Sequence, residues 1–412
     1  MKFARIIAVL IALAFLGIAG TAAALVGMSS SLPQIIKVED YKPLLVTDVF
    51  ARDGRKIGEY AIEKRTLVPF DKIPVKLVDS FIAAEDDTFY EHGGVNYVAM
   101  LRAFVVNIAS GKKKQGASTI TQQVAKTLLL SSEKTYTRKI KEILLSQRME
   151  ENLSKQDILY LYLNQIYFGE GAYGVAAAAD TYFRKTLDKL TIGEMALLAG
   201  LPQAPSNYSP SDHPQEAKGR QKYVLSRMHS TGKITEAELK TALEEPITVF
   251  YSREDRPIAP YFVETLRQML VGVVGEKALW EGGLKIYTSI DYDAQVAANE
   301  SVQVGLKQLD KRQGYRGAAK NIVDPAEQTK FLLQSRKRLM AGVAPSRIIM
   351  PDGNFQPEKD LTAYHKKDAA GRILTNIPEY IPKGTTIDAI VTKVDDGAGL
   401  AEVTFADGQG LL

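Results

Sequence analysis

The feature that most limits this chain is its first apolar run, Ile6 to Gly27, which carries no charge over 22 residues. At about 1.5 Å rise per residue, a helix of that length crosses the ~30 Å hydrocarbon layer of a bilayer. Lys2 and Arg5 precede the run and the next charge is Lys37. That asymmetry puts the N-terminus in the cytoplasm and the remainder outside. The same stretch can be read as a cleaved signal peptide, with the alanines at 22–24 as the small-residue site. The run outlasts a usual signal core, which favours a retained anchor. On either reading the body of the chain is exported.

That body is large enough for two or three domains, since the chain has 412 residues. It has no cysteine, which excludes disulfides and thiolate metal sites. Its four histidines, His92, His213, His229 and His365, are too scattered for a histidine metal cage. The formal charge of +4 is too mild to argue for nucleic acid, and none is expected as a partner.

Residues 44–50 and 56–62 read as strands around the "RDGR" turn. From about 74 to 245 the pattern is helical. Ser154 with Asp157, Thr191 with Glu194 and Thr235 with Glu238 have capping-box spacing, and Pro202 and Pro246 stop the last two of these helices. A proline-rich surface stretch occupies 201–214. Beyond 250, residues 259–275 read as a helix, 283–290 as a strand and 293–314 as an amphipathic helix. Residues 318–375 are polar and weakly patterned. "TTIDAIVTKV" and "LAEVTF" form a hairpin near the end. Two strands cannot bury a face alone, so this hairpin reads as the start of a β-domain.

Four segments carry candidate chemistry. In "EDDTFYEHGG" (85–94) the carboxylates follow an apolar helix over Pro74–Ala84, in which Leu77, Phe81 and Ala84 share a face. Glu85 then sits near the level of the core, while Asp86 and Asp87 point to water. A carboxylate withdrawn from solvent gains proton affinity, as a general base near neutral pH requires. Phe89 can wall such a site, and Gly93 and Gly94 allow a tight turn. A solvated acidic loop is the plain alternative. In "KKKQGASTITQQVAKTLLL" (112–130) a helix starting near Ser118 lines Thr119, Gln123 and Lys126 along one side. Hydroxyl, amide and ammonium at a helix N-terminus suit a pyrophosphate or a sugar, and an ordinary polar helix face is the alternative. In "RKIKEILLSQRMEENL" (138–153) Arg138 and Glu142 lie one turn apart. They read either as an exposed ion pair or as a cation for phosphate and a second carboxylate across a cleft from Glu85. The apolar helix at 95–114 ends in Lys112–Lys114. It can be core, or it can dip into the outer leaflet with its lysines at anionic headgroups.

Together with "KQDILYLYLNQIYFGEGAYGVAAAA" and "YFRKTLDKLTIGEMALLAGLPQAPSNYSP", these segments resemble the five signature blocks of the glycosyltransferase domain of class A penicillin-binding proteins. The resemblance covers about residues 74–215, with one departure at Ala117, where the family usually has a second glycine. It implies a mainly α, membrane-anchored, lysozyme-like glycosyltransferase domain at 74–250, after an anchor (1–30) and a hairpin linker (31–73). A linker (251–317) and the start of a small OB-like β-barrel (318–412) would follow.

The implied reaction polymerises lipid II onto a growing glycan strand, with inversion at the anomeric carbon and release of undecaprenyl pyrophosphate. It would run on the outer face of the cytoplasmic membrane. Glu85 would be the general base and Glu142 the second carboxylate. Lys126 and Arg138 would be the cations on the leaving pyrophosphate, and His92, Ser118, Thr119 and Gln123 would contact substrate. Mg2+ or Mn2+ is the one cofactor the resemblance admits, with no ligand set identified. Moenomycin-type phosphoglycolipids are the implied inhibitors. The transpeptidase of the family is not expected here, because the SxxK matches "SSEK" and "STGK" lie inside or beside the glycosyltransferase and no KTG box follows. A lysozyme-like glycan-cleaving enzyme, for which a carboxylate pair also suffices, is the main alternative. A non-catalytic cell-wall scaffold is the other.

Overall fold

Several helices between residues 74 and 245 start where a side chain accepts from a free amide of the first turn. The computed structural model describes residues 27–28, 32–35, 38–41, 43–111, 116, 118–129, 135–250, 258–314, 318–343, 346–356, 369, 375, 377, 381, 385–406 and 408–411. The expected anchor over 6–27, the lysines at 112–114 and "SSEK" therefore lie outside the described residues, save Gly27. Among the described residues no helix is long and apolar enough to cross a membrane.

The chain divides into two units. The first comprises residues 1–46, 61–245 and 280–282. Its helices are α1 (Val75–Glu85), α2 (Tyr97–Ser110), α3 (Ile120–Leu129), α4 (Tyr136–Asn152), α5 (Lys155–Gln165), α6 (Val175–Phe183), α7 (Ile192–Gly200), α8 (Pro214–Ser230) and α9 (Glu236–Glu244). The three expected capping boxes are present, opening α5, α7 and α9. Asn96 caps α2 by accepting from the Ala99 amide at 2.8 Å. Proline at the first position of α8 costs no hydrogen bond, because that amide would be free in any case.

Helix α7 is buried from Gly193 to Gly200 and is apolar on nearly all sides, so it serves as the central post. Helices α1 and α8 pack against it, and α3 packs against α4 and α5. Phe81 of α1 meets Tyr162 and Phe168 edge-on at 6.0 and 5.8 Å between ring centres. The Tyr182 hydroxyl donates to the Phe168 carbonyl at 2.9 Å. Helix α2 differs: only Ala103 is buried, and Tyr97, Val98, Leu101, Phe104, Val105 and Ile108 face outward on one stripe. The core reading of this helix is thereby excluded.

The second unit comprises residues 47–60, 246–279 and 283–412. The expected hairpin forms from β1 (Thr47–Phe50) and β2 (Lys56–Tyr60), which pair antiparallel; the segments 247–250 and 285–287 are β3 and β4. Strand β4 pairs parallel with β1 on its other edge. Helices α10 (Pro260–Val274), α11 (Glu276–Glu281), α12 (Tyr292–Arg312) and α13 (Pro325–Val343) follow. The remaining strands are β5 (Ser346–Ile349), antiparallel to β3, and β6 (Ile390–Asp395), β7 (Leu400–Phe405) and β8 (Gly408–Leu411), an antiparallel sheet in chain order. The reading of 318–375 as weakly patterned is corrected here, since α13 and β5 lie within it. The buried positions near the middle of α13 are Ser335 and Arg336, both polar. Its start signal, Asp324 before Pro325, is present in the sequence.

Candidate active site

Glu85 is the last residue of α1, and the packing of Leu77 and Phe81 carries it to the edge of the core. Its side chain is 12% exposed. The Gln123 side-chain amide donates to Oε2 at 2.8 Å, and Nη2 of Arg220 stands 3.5 Å from Oε1. Burial raises the Glu85 pKa; the Gln123 hydrogen bond and the Arg220 charge pull it back, and the Asp86 charge adds to the rise. The expected depth of Glu85 is thus found.

Asp86 does not point to water, and that expectation is corrected. It is buried, with Nε2 of His92 at 2.9 Å from Oδ1 and the Ile120 amide donating to Oδ2 at 3.0 Å. A carboxylate at the N-terminus of α3 satisfies a free amide and meets the positive end of the helix dipole. This attraction turns the side chain inward. Asp87 is exposed and pairs with Arg227. His92, expected against substrate, has Asp86 as its partner. Phe89 is buried beneath it, with the Lys155 ammonium 4.3 Å over the Phe89 ring. Lys155 also donates to the His92 carbonyl and to Glu150, bracing the whole turn.

Helix α3 opens on a capping box not anticipated from the sequence. Thr119 Oγ1 accepts from the Gln122 amide, and Gln122 Oε1 accepts from the Thr119 amide, both at 3.1 Å. The Thr119 hydroxyl also donates to the Gly94 carbonyl at 2.7 Å. Gly94 has φ +90°, and a Cβ there would stand 2.5 Å from the Ser146 carbonyl oxygen, so only glycine fits. One turn into α3, Gln123 reaches Glu85. Lys126, on the last turn, is exposed and its ammonium has no ion pair among the described residues.

Glu142 is 2% exposed and lies between two cations. Arg138 donates to Oε2 at 2.9 Å, and Lys139 pairs with Oε1. The Lys139 ammonium also donates to Ser118 Oγ at 2.9 Å. The structure therefore joins Ser118, Lys139, Glu142 and Arg138 in one cluster, and Glu85 with Gln123 in another. Lys139 was missed, although its i, i+3 spacing to Glu142 was in view. Arg220 was also missed; it lies 135 residues from Glu85 and no local pattern reveals it. Among the described residues no three acidic or imidazole groups converge to hold a metal. Both Glu142 oxygens are taken by cations, a donor set that does not fit a divalent ion.

Residues 53–229 match the family model described as Transglycosylase. The chain is 41% identical over 323 residues to penicillin-binding protein 1A of Rickettsia prowazekii, covering 77% of this chain and 41% of that one. It is 36% identical over 417 residues to the Rickettsia felis protein of the same name, covering 98% and 52%. With the Neisseria flavescens protein of that name it shares 43% over 315 residues, covering 76% and 39%. The chain thus spans about half, or less, of the length of these relatives. A crystal structure of penicillin-binding protein 1A from Haemophilus influenzae aligns at 25% identity with a TM-score of 0.43, covering 83% of this chain and 45% of that one.

Proposed function

We propose that the chain, whose residues 53–229 match the transglycosylase family, is a peptidoglycan glycosyltransferase that polymerises lipid II in cell-wall synthesis. Glu85 acts as general base. It takes the proton from the acceptor sugar's 4-hydroxyl as that oxygen attacks the anomeric carbon of the growing chain, inverting it and expelling undecaprenyl pyrophosphate. The observation that carries this reading is the state of Glu85: buried, steadied on one oxygen by Gln123, with proton affinity raised.

The leaving group bears about two negative charges and needs fixed positive ones, since electrostatic stabilisation is usually the largest catalytic contribution. Lys126 has no competing ion pair among the described residues and is free to meet the diphosphate. Glu142 orients Arg138 and Lys139 so that their remaining N–H groups face the same ligand. Ser118, Thr119 and His92 line or brace this site. The cation-bound state of Glu142 also speaks against glycan cleavage, which needs a second carboxylate free to attack or to activate water.

The catalytic domain is residues 74–250, held on the outer face of the cytoplasmic membrane by a single anchor over 6–27. The outward apolar stripe of α2 supports its lying in the outer leaflet. The sheet of β6, β7 and β8 supports reading 318–412 as part of a small barrel, with 251–317 as the linker. The test is incubation of the detergent-solubilised chain with labelled lipid II. Polymer from the parent, blocked by a moenomycin-type phosphoglycolipid and absent from Glu85→Gln, is the expected result. Fragments released from pre-made glycan would mark a hydrolase, and no turnover of either would leave a scaffold.

A further inference from the structure

Glu85 carries a demand that its own helix does not meet. A base buried at the end of α1, beside Asp86, must still be ionised to accept a proton. The charged and titratable groups around it come from three elements. Asp86 follows it on the chain and is held by His92 and the Ile120 amide. The Tyr162 hydroxyl approaches from α5, buried and without a partner among the described residues. Arg220 approaches from α8 as the cation that reaches Glu85, while Gln123 of α3 is neutral.

We propose that Arg220 is a positioning residue for Glu85, setting the charge and orientation of the base without occupying the oxygen that receives the proton. The inference rests on the reading of Glu85 as base. The contact is graded: Gln123 holds Oε2 at 2.8 Å, a full hydrogen bond, whereas Arg220 stands 3.5 Å from Oε1, at the far limit of one. A close two-pronged ion pair would tie up both oxygens and make the carboxylate a poor base. At the observed distance the field acts and Oε1 stays open.

The placement is built rather than incidental. The Arg220 side chain is 11% exposed. Its guanidinium carbon lies 4.5 Å from the centre of the Tyr223 ring and 6.0 Å from that of Tyr208. Its stem passes over Gly200, the last residue of α7, where a Cβ would come within 2.8 Å of Arg220 Cγ. A residue made to pair at the surface needs neither the bare backbone beneath it nor the aromatic rings beside it. Arg227, two turns along α8, is engaged elsewhere, by Asp87.

The test is the pH profile of kcat/KM for lipid II polymerisation, with the intact chain in detergent. The parent should show an acid limb that reports Glu85. In Arg220→Gln that limb should move to higher pH by roughly 1–3 units, the usual effect of an opposite charge at this range. Activity should recover at alkaline pH with KM little changed. Arg220→Lys, which keeps the charge, should hold the limb near the parent's while lowering kcat. Gly200→Ala, which presses on the stem, should move it part of the way. Arg220→Met keeps the stem's volume and repeats the test if Arg220→Gln does not fold. A uniform loss at every pH with the limb unmoved would reduce Arg220 to packing and overturn the proposal. A raised KM with kcat and limb unchanged would make it a substrate ligand instead and equally overturn it. A parent without polymerase activity would instead refute the base reading.

Discussion

Asp86 offers the sharpest perturbation of the site, because one carboxylate holds two elements that sequence separates. Its side chain is 3% exposed and accepts from the Ile120 amide at 3.0 Å and from His92 at 2.9 Å. Asp86→Ala leaves the buried Ile120 amide and the largely buried His92 ring without their acceptor, at a cost of about 1–3 kcal/mol each. It also removes a negative charge from the N-terminus of α3, worth about 0.3–1 kcal/mol and up to about 2 when partly buried. The sum is roughly 2–8 kcal/mol, a large part of the ~5–15 kcal/mol that holds a domain folded. Asp86→Asn keeps an oxygen for the Ile120 amide and loses mainly the charge, roughly 1–2 kcal/mol. For a domain of this size that is about 2–8 °C in Tm. Thermal unfolding followed by circular dichroism should therefore rank parent, Asn and Ala in falling order. Polymer formation should fall in the same order, because Gln123 reaches Glu85 from the turn that Asp86 anchors. An alanine variant that melts within a degree of the parent and polymerises normally would refute the account of this carboxylate as a tie.

Three further outcomes are expected. Lys126→Ala should weaken binding of a moenomycin-type phosphoglycolipid by tenfold or more, read by fluorescence displacement; unchanged affinity would remove Lys126 from the diphosphate site. Glu85→Gln should be more stable than the parent at neutral pH. The folded state raises the Glu85 pKa above its ordinary 4.5, so its stabilising effect is full below that value and is lost as pH rises through the raised one. The advantage of the glutamine variant should vanish in acid, and a constant difference across pH would contradict the burial argument. The chain has no cysteine, so single labels are clean: an environment-sensitive dye on Phe104→Cys should shift to the blue in vesicles, while one on Lys240→Cys should not.

What could be read from the sequence was what is encoded within a helical turn or two. The capping boxes at Ser154, Thr191 and Thr235 are contacts between residues three apart, and all three formed. The depth of Glu85 followed from the apolar face of the helix that ends in it. Asp86 was misjudged because its position is set by the Ile120 amide, 34 residues on, and a run of three acids looks solvated until a helix N-terminus arrives beside one of them. Helix α2 left two readings open, since an all-apolar helix looks the same in a core and against lipid; the exposure of its stripe speaks against the core. Helix α13 was lost because its buried middle is polar. The hairpin of β1 and β2 was legible, but not that β4, more than 200 residues later, would pair with its edge, because parallel pairing leaves no local turn to betray it.

Gly94 fixes more than its own turn. Its α-carbon rests on the carbonyl of Ser146, one turn along α4 from Glu142, and its own carbonyl receives the hydroxyl that starts α3. Main chain lies directly on main chain, with no side chain between to shrink, swell or change rotamer. Beside the tie that Asp86 makes, this contact helps insulate the spacing of the three elements that carry the acids and the amide from repacking of side chains around it.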